Sequence, residues 1–206
     1  PSIWLSKDQE MVIGNLLNPK EVEEAVNGAD VVYNFAALAD LNEGLKRPID
    51  TINYNILGNA NVIEACCKFN VKRFLYASTI YVYSRDGGFY RCSKQASENY
   101  LEEYHKVYGL DYTILRFGSL YGPRSDQTNG LYRIVKYAIE QGVISYEGSE
   151  EAIREYIHVE DAAEASVFAL HEDFKNENVI LTGQETMHVK DMLKILAEIL
   201  NIKKKI

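Results

Sequence analysis

Val31-Val-Tyr-Asn-Phe35, a helical pattern from Asn55 to Phe69, and then Phe74-Leu-Tyr-Ala77 form the stretch on which the fold turns. Both outer runs are short, apolar and rich in β-branched or aromatic residues, as strands covered on both faces must be. Strand, long helical connection and strand again is the pattern of a βαβ unit, because parallel neighbours need a crossover. Working outward, Met11–Ile13, Tyr112–Phe117 and Val179–Leu181 read as further strands. They alternate with helical stretches at Pro19–Val26, Ser93–Tyr108, Leu131–Glu140, Asp161–Leu170 and Val189–Leu200. The expectation is an α/β fold on a buried parallel sheet. In the last helix Val189, Met192, Leu193, Leu196 and Leu200 share one face, which is the spacing of a core stripe.

Composition bounds the function. The chain has 206 residues, 47% hydrophobic and 25% charged, which is enough apolar material for a proper core. Its longest nearly uncharged apolar stretch, Val31–Ala39, is far too short to cross a bilayer, and no basic-then-apolar leader opens the chain. A cytoplasmic protein with no membrane partner is expected. The net charge of −8 argues against nucleic acid, whose binding is driven by clustered Lys and Arg; the run Lys203–Lys205 reads as a solvated end. Cys66, Cys67 and Cys92 lack CxxC spacing and the four histidines, His158 among them, are scattered, so reduced thiols and no metal site are expected. Gly122-Pro-Arg124 punctuates the chain where a second lobe can begin.

The chemistry gathers around Tyr90-Arg-Cys-Ser-Lys94, where a spacing of four puts a phenol and an ammonium on one helix face. A neighbouring cation favours phenolate, so Lys94 is expected to lower the pKa of Tyr90 towards a value useful for proton transfer. Upstream, Phe74–Thr79 runs as a buried strand into Ser78 and Thr79, and ligands of open parallel sheets bind at the carboxyl ends of strands. Those hydroxyls read either as ligand contacts or as turn caps.

Taken together these segments resemble the NAD-dependent epimerase/dehydratase branch of the extended short-chain dehydrogenases/reductases. Asp30-Val-Val-Tyr-Asn-Phe-Ala-Ala37 is similar to that family's fourth strand, Asn55-Ile-Leu-Gly58 to its Asn-x-x-Gly helix start, and Ala77-Ser-Thr-Ile-Tyr-Val-Tyr83 to its active-site strand. Leu115-Arg-Phe-Gly-Ser-Leu-Tyr-Gly-Pro-Arg124 and Arg154-Glu-Tyr-Ile-His-Val-Glu-Asp161 follow in the family's order. The resemblance implies a Rossmann-like doubly wound sheet over residues 1–122 and a smaller substrate lobe over 123–206, both incomplete. It implies Thr79, Tyr90 and Lys94 as the catalytic set. Asn15, Leu16, Ala36, Ala37, Asn55, Ser78 and Phe117 would line the cofactor with Tyr90 and Lys94; Ser119, Arg124 and Arg154, with Thr79, would meet the sugar nucleotide. Asn15 stands where the family usually has Asp against the adenine, and the alternative for Arg154 is a surface ion pair with Glu150, Glu151 or Glu155. The implied cofactor is NAD, with NADP left open, and the implied assembly is a homodimer through the helices at 55–69 and 93–108.

The sequence departs from the family in several places. No Gly-x-x-Gly-x-x-Gly precedes Asp30, so the glycine turn that would cradle a pyrophosphate is not in it. A fragment of a longer chain is the simplest expectation, with weak or no dinucleotide binding and no turnover by these 206 residues alone. The segment Ser84–Phe89 is short for the family, and Gly87-Gly88 makes a tight turn feasible. Family dehydratases carry Asp-Glu after the active-site Thr; here Ile80 and Tyr81 stand there, so dehydration is not expected, and the Cys-containing site of some epimerase-reductases is absent too, since Cys92 lies inside the helix motif. That leaves reversible oxidation of a sugar hydroxyl. An epimerase is the first reading; the alternatives are a dehydrogenase or ketoreductase and a non-catalytic nucleotide-binding member of the fold.

Overall fold

A computed structural model of the chain describes residues 5–202. The chain divides into two units, one reaching to Ile114 and taking in Phe174–Glu177, the other formed by Leu115–Asp173 and the residues from Asn178 onward. This division is not contiguous in sequence.

The first unit opens with α1 (Pro19–Val26), started by Pro19 and by the Asn18 side chain, which accepts from the Lys20 N–H. Val22 and Val26, one turn apart, are its buried face. Next come β1 (Val31–Asn34), α2 (Leu41–Lys46), α3 (Pro48–Thr51), a π-helical segment Ile52–Leu57, and α4 (Gly58–Lys68). The strand β2 (Arg73–Thr79) is buried on nearly every residue, the condition for an interior parallel strand. It pairs in parallel with β1 in the register Val31↔Arg73 to Asn34↔Tyr76, so the carboxyl ends of both strands emerge on the same edge. A 3₁₀ turn (Ile80–Tyr83) leads to α5 (Gly88–Tyr108) and then β3 (Tyr112–Phe117). Ile63 and Cys66 of α4, Phe74 and Tyr76 of β2, Leu101 of α5 and Ile114 of β3 make the core of this unit.

The second unit holds β4 (Ser119–Tyr121), α6 (Gly130–Gln141), β5 (Ile153–His158), α7 (Val159–Phe168), β6 (Glu177–Leu181), β7 (Thr186–His188) and α8 (Val189–Leu200). The sheet order is β1-β2-β3-β6, with a second three-stranded sheet β4-β5-β7. In that second sheet β4 and β5 run parallel, whereas β5 and β7 are antiparallel. Val189, Met192 and Leu193 pack with Ala138 and Ile144 as its core, and Leu196 and Leu200 lie partly buried against them, as the helical stripe predicts.

Three expectations change. Met11–Ile13 makes no strand pairing among the described residues, and Ile13 is 80% exposed; an apolar run becomes a strand only when its backbone groups find a ladder partner. The helix expected from Ser93 begins at Gly88, because the glycine turn before it sets its start. The strands β4, β5 and β7 lie outside the sequence reading: each is short, and the apolar run of Ile153–His158 is broken by the adjacent charges of Arg154 and Glu155.

Candidate active site

Successive residues at the end of β2 meet α5. Lys94 is 2% exposed, and its Nζ donates to the Ala77 carbonyl at 2.6 Å. The same ammonium lies 4.6 Å from the centroid of the Tyr76 ring and 5.7 Å from that of Tyr90, where the negative faces of the rings favour a cation. Ser78, also buried, donates from Oγ to Oε1 of Glu98. Thr79 accepts from the Tyr81 N–H at 3.2 Å and so caps the turn that leaves the strand, while its hydroxyl also bonds the Tyr90 phenol. The capping role and the site role therefore coincide at Thr79.

The turn before α5 decides where Tyr90 sits. Gly87 has φ of +91° and Gly88 of +52°, a left-handed pair that L side chains rarely adopt. A Cβ on Gly87 would come within 3.1 Å of the Tyr81 ring and of Arg91 Cβ, so a side chain there would press on both besides straining the backbone. Further back, Gln95 Nε2 donates to the Val82 carbonyl at 2.9 Å, fastening the 3₁₀ turn to α5.

Electrostatics differ from the sequence expectation. Burial pushes the Tyr90 phenol up to about 12, with the Tyr81 ring acting in the same direction and the Thr79 hydrogen bond against it. Burial likewise draws the Lys94 ammonium down to about 7, opposed by the Glu98 carboxylate. Lys94 does not lower Tyr90 here: taking both groups out of water costs each its charged form, and that outweighs their mutual influence.

Asn55 is 1% exposed and lies in the π-helical segment, a distortion often found at functional sites. Its Oδ1 accepts from the Leu38 N–H at 2.7 Å, and its Nδ2 donates to the Leu38 carbonyl at 3.1 Å and to Ser93 Oγ at 2.9 Å. Its carbonyl accepts from Ser97 Oγ at 2.8 Å. The side chain is thus a brace between the segment after β1 and α5. On that segment Ala36 is exposed and Ala37 half-buried, and the Asn34 side chain accepts from the Ala36 N–H while donating to Asn59. Gly58 permits a close approach to Leu16, since a Cβ there would stand 3.1 Å from Leu16 Cβ. Asn15 folds its Oδ1 back to the Leu17 N–H at 3.0 Å, and its own N–H donates to Glu21. Ala36 and Ala37, with one methyl each, follow β1 on the strand edge where β2 ends, and the Thr79 hydroxyl, the Tyr90 phenol and the Lys94 ammonium at the end of β2 are donors of the kind a nicotinamide ribose takes.

The remaining expected residues belong to the second unit. Phe117 ends β3, and Ser119 opens β4 opposite Tyr156 of β5. Arg124 is exposed in a left-handed conformation, with φ of 68°. Arg154, on β5, donates from Nη1 to the Ile153 carbonyl at 2.9 Å. His158 caps α7 through its Nδ1, a structural role. A cavity of about 510 Å³ in this unit is lined by Tyr121, Tyr156, His158, Gln184, Met187 and Met192 among others, but not by Ser119, Arg124 or Arg154. Glu98 is the residue of the first site that the sequence reading passed over; its signal was its place four residues after Lys94, on the same helix face.

Known proteins resemble the chain along most of its length. A Methanocaldococcus jannaschii protein provisionally named UDP-glucose 4-epimerase is 29% identical over 191 residues, covering 82% of this chain and 62% of the relative. The UDP-glucuronate 4-epimerase of Thermodesulfobacterium geofontis is 25% identical over 188 residues, covering 84% of this chain and 58% of the relative. The chain therefore spans about three fifths of the length of these curated relatives. Among solved structures, UDP-glucose 4-epimerase of Thermus thermophilus in complex with NAD superposes with a TM-score of 0.84 at 26% identity, over 98% of this chain and 72% of that one. That of Thermotoga maritima with UDP-glucose gives 0.85 at 25%, over 93% and 68%. The family model described as NAD dependent epimerase/dehydratase family matches residues 2–182, and to that family, on a Rossmann-type α/β fold, the chain belongs.

Proposed function

We propose that the chain carries the catalytic residues of an NAD-dependent sugar-nucleotide epimerase acting on a UDP-sugar. The observation that carries this reading is the convergence of Thr79, Tyr90 and Lys94 at the carboxyl end of β2, with Ile80 and Tyr81 where a dehydratase would need a second acid and base. When bound, the nicotinamide supplies an acceptor and then a donor of hydride. The chain's own residues handle the rest. Tyr90 Oη takes the proton of the sugar hydroxyl and returns it; Thr79 Oγ1, already bonded to that phenol, orients the same oxygen. Lys94, with one N–H committed to Ala77, has others to offer a cofactor ribose. Ala36 and Ala37 leave the backbone open to the cofactor, and Asn55 holds that segment against α5.

Asn15, Leu16 and Phe117 on the cofactor side, and Ser119, Arg124 and Arg154 on the sugar-nucleotide side, complete the proposed contacts. The reading includes a cytoplasmic homodimer. Free thiols at Cys66, Cys67 and Cys92 suit a reducing compartment, and Leu57, Tyr100, Val107 and Tyr108 stand more than half exposed on the helices expected to pair. No helix among the described residues is long and apolar enough to cross a membrane.

The test, made on the whole protein to include the dinucleotide-binding turn, is incubation with UDP-glucose or UDP-glucuronate and NAD, followed by NMR of the sugar and absorbance of the nicotinamide. Interconversion of the 4-epimers without net cofactor change is expected. Stoichiometric reduction of cofactor with no epimer formed would replace this reading with a dehydrogenase.

A further inference from the structure

We propose that Glu98 is a positioning residue of this site, its buried carboxylate pinning the end of β2 to α5 and placing a counter-charge one helical turn from Lys94. The inference rests on the reading of Tyr90 and Lys94 given above, but goes beyond it to a residue that touches neither cofactor nor sugar in that reading.

The geometry carries it. Glu98 is 5% exposed, and a buried carboxylate persists only where hydrogen bonds and a nearby cation compensate its lost hydration. Both are in place: Ser78 Oγ donates to Oε1, and Lys94 lies one helical turn back on the same face of α5. Consecutive residues of β2 are thereby fastened to α5, Ala77 to Lys94, Ser78 to Glu98 and Thr79 to Tyr90. Of these three links, Ser78 to Glu98 is the one that involves no residue of the proposed catalytic set.

The charge argument points the same way. The other titratable groups around Lys94 are phenols: Tyr76 from β2 and Tyr90 from α5, with Tyr81 of the 3₁₀ turn beyond Tyr90. From the helical layer of residues 52–68, α5 meets the Asn55 side chain on Ser93 and its carbonyl on Ser97, both uncharged. Glu98 is the group that opposes the effect of burial on Lys94. An amine in an apolar site sheds its proton unless an anion holds it.

Glu98→Gln separates charge from shape. With lysine Cε labelled, the Lys94 titration followed by NMR in the cofactor-free chain is expected to move down by about one pH unit in Glu98→Gln, and to return towards the parent midpoint in Glu98→Asp. Ser78→Ala is the second route should Glu98→Gln not fold. Removing that donor frees the carboxylate from its place on the end of β2, and the Lys94 midpoint is expected to fall by a smaller amount. An unchanged midpoint in Glu98→Gln, or in Ser78→Ala where that stands in, overturns the proposal. Because the titration needs neither substrate nor turnover, an absence of epimerisation by the parent protein would count against the proposed function alone.

Discussion

At Tyr90 the decisive quantity is the cost of ionising a half-buried phenol. With its pKa pushed up to about 12, the free protein holds Tyr90 protonated at neutral pH, so base action depends on what the bound state adds. A cationic nicotinamide favours phenolate by opposite charge. Tyr90→Phe, which keeps the ring and removes the proton carrier, is expected to lower turnover by roughly 10²- to 10⁴-fold without changing the circular dichroism spectrum. Lys94 leaves a different trace. Its folded pKa of about 7 lies below the ordinary 10.5, so the unfolded chain binds the proton more strongly across that interval. Stability of the parent relative to Lys94→Met should therefore climb as pH rises from about 7 towards 10.5, by about 1.4 kcal/mol per unit, and lie flat below that range. Urea unfolding of both proteins across that range checks it; a difference independent of pH would mean Lys94 keeps its ordinary pKa. Burial of Cys66, raised to about 12 from 9.0, acts oppositely and lowers the stability of both proteins above pH 9, which is why the comparison is made as a difference.

At the scale of elements, two local devices set the site. The Gly87-Gly88 turn fixes where α5 begins and so the height of Tyr90 on it. Gly87→Ala is expected to destabilise by about 1–2 kcal/mol from the left-handed conformation alone. Crowding of Tyr81 should add a loss of turnover larger than the stability change explains, measured by thermal unfolding beside activity. The second device is the Asn55 brace. Asn55→Leu leaves the Leu38 backbone pair and the Ser93 hydroxyl without their partner in a buried setting, at a cost of about 2–4 kcal/mol. Hydrogen exchange should then accelerate at Leu38 and in the first turns of α5 before the rest of the first unit; uniform acceleration would show that Asn55 is merely a core residue. The Tyr90-x-x-x-Lys94 spacing and the hydroxyls at the end of β2 were readable from period and position. The partners of Asn55 and Glu98 were not, because Leu38 and Ser78 reach them across 17 and 20 residues of chain.

For the whole molecule, the proposed homodimer predicts that a charge on the outward face of α5 disperses it. Val107→Glu, at a residue 68% exposed and outside the active site, should convert a dimer into a monomer by light scattering and leave the monomer folded. A parent already monomeric at micromolar concentration would remove the dimer from the reading.

The sequence by itself determined the α/β class, the order of β1, β2 and β3 with a long helical stretch before β2 and another before β3, and the spacing that brings Thr79, Tyr90 and Lys94 together. Those features are written in local periodicity, in glycine turns and in a helical spacing of four, each a property of neighbours along the chain. Tertiary structure decided the rest. Met11–Ile13 has strand composition but no ladder partner among the described residues, the short strands β4, β5 and β7 exist through pairing, and the boundary between units cuts through β3. It also decided the charge of the site. Whether a lysine four residues from a tyrosine activates it depends on how much water each retains, and water is excluded by residues distant in sequence that pack over both.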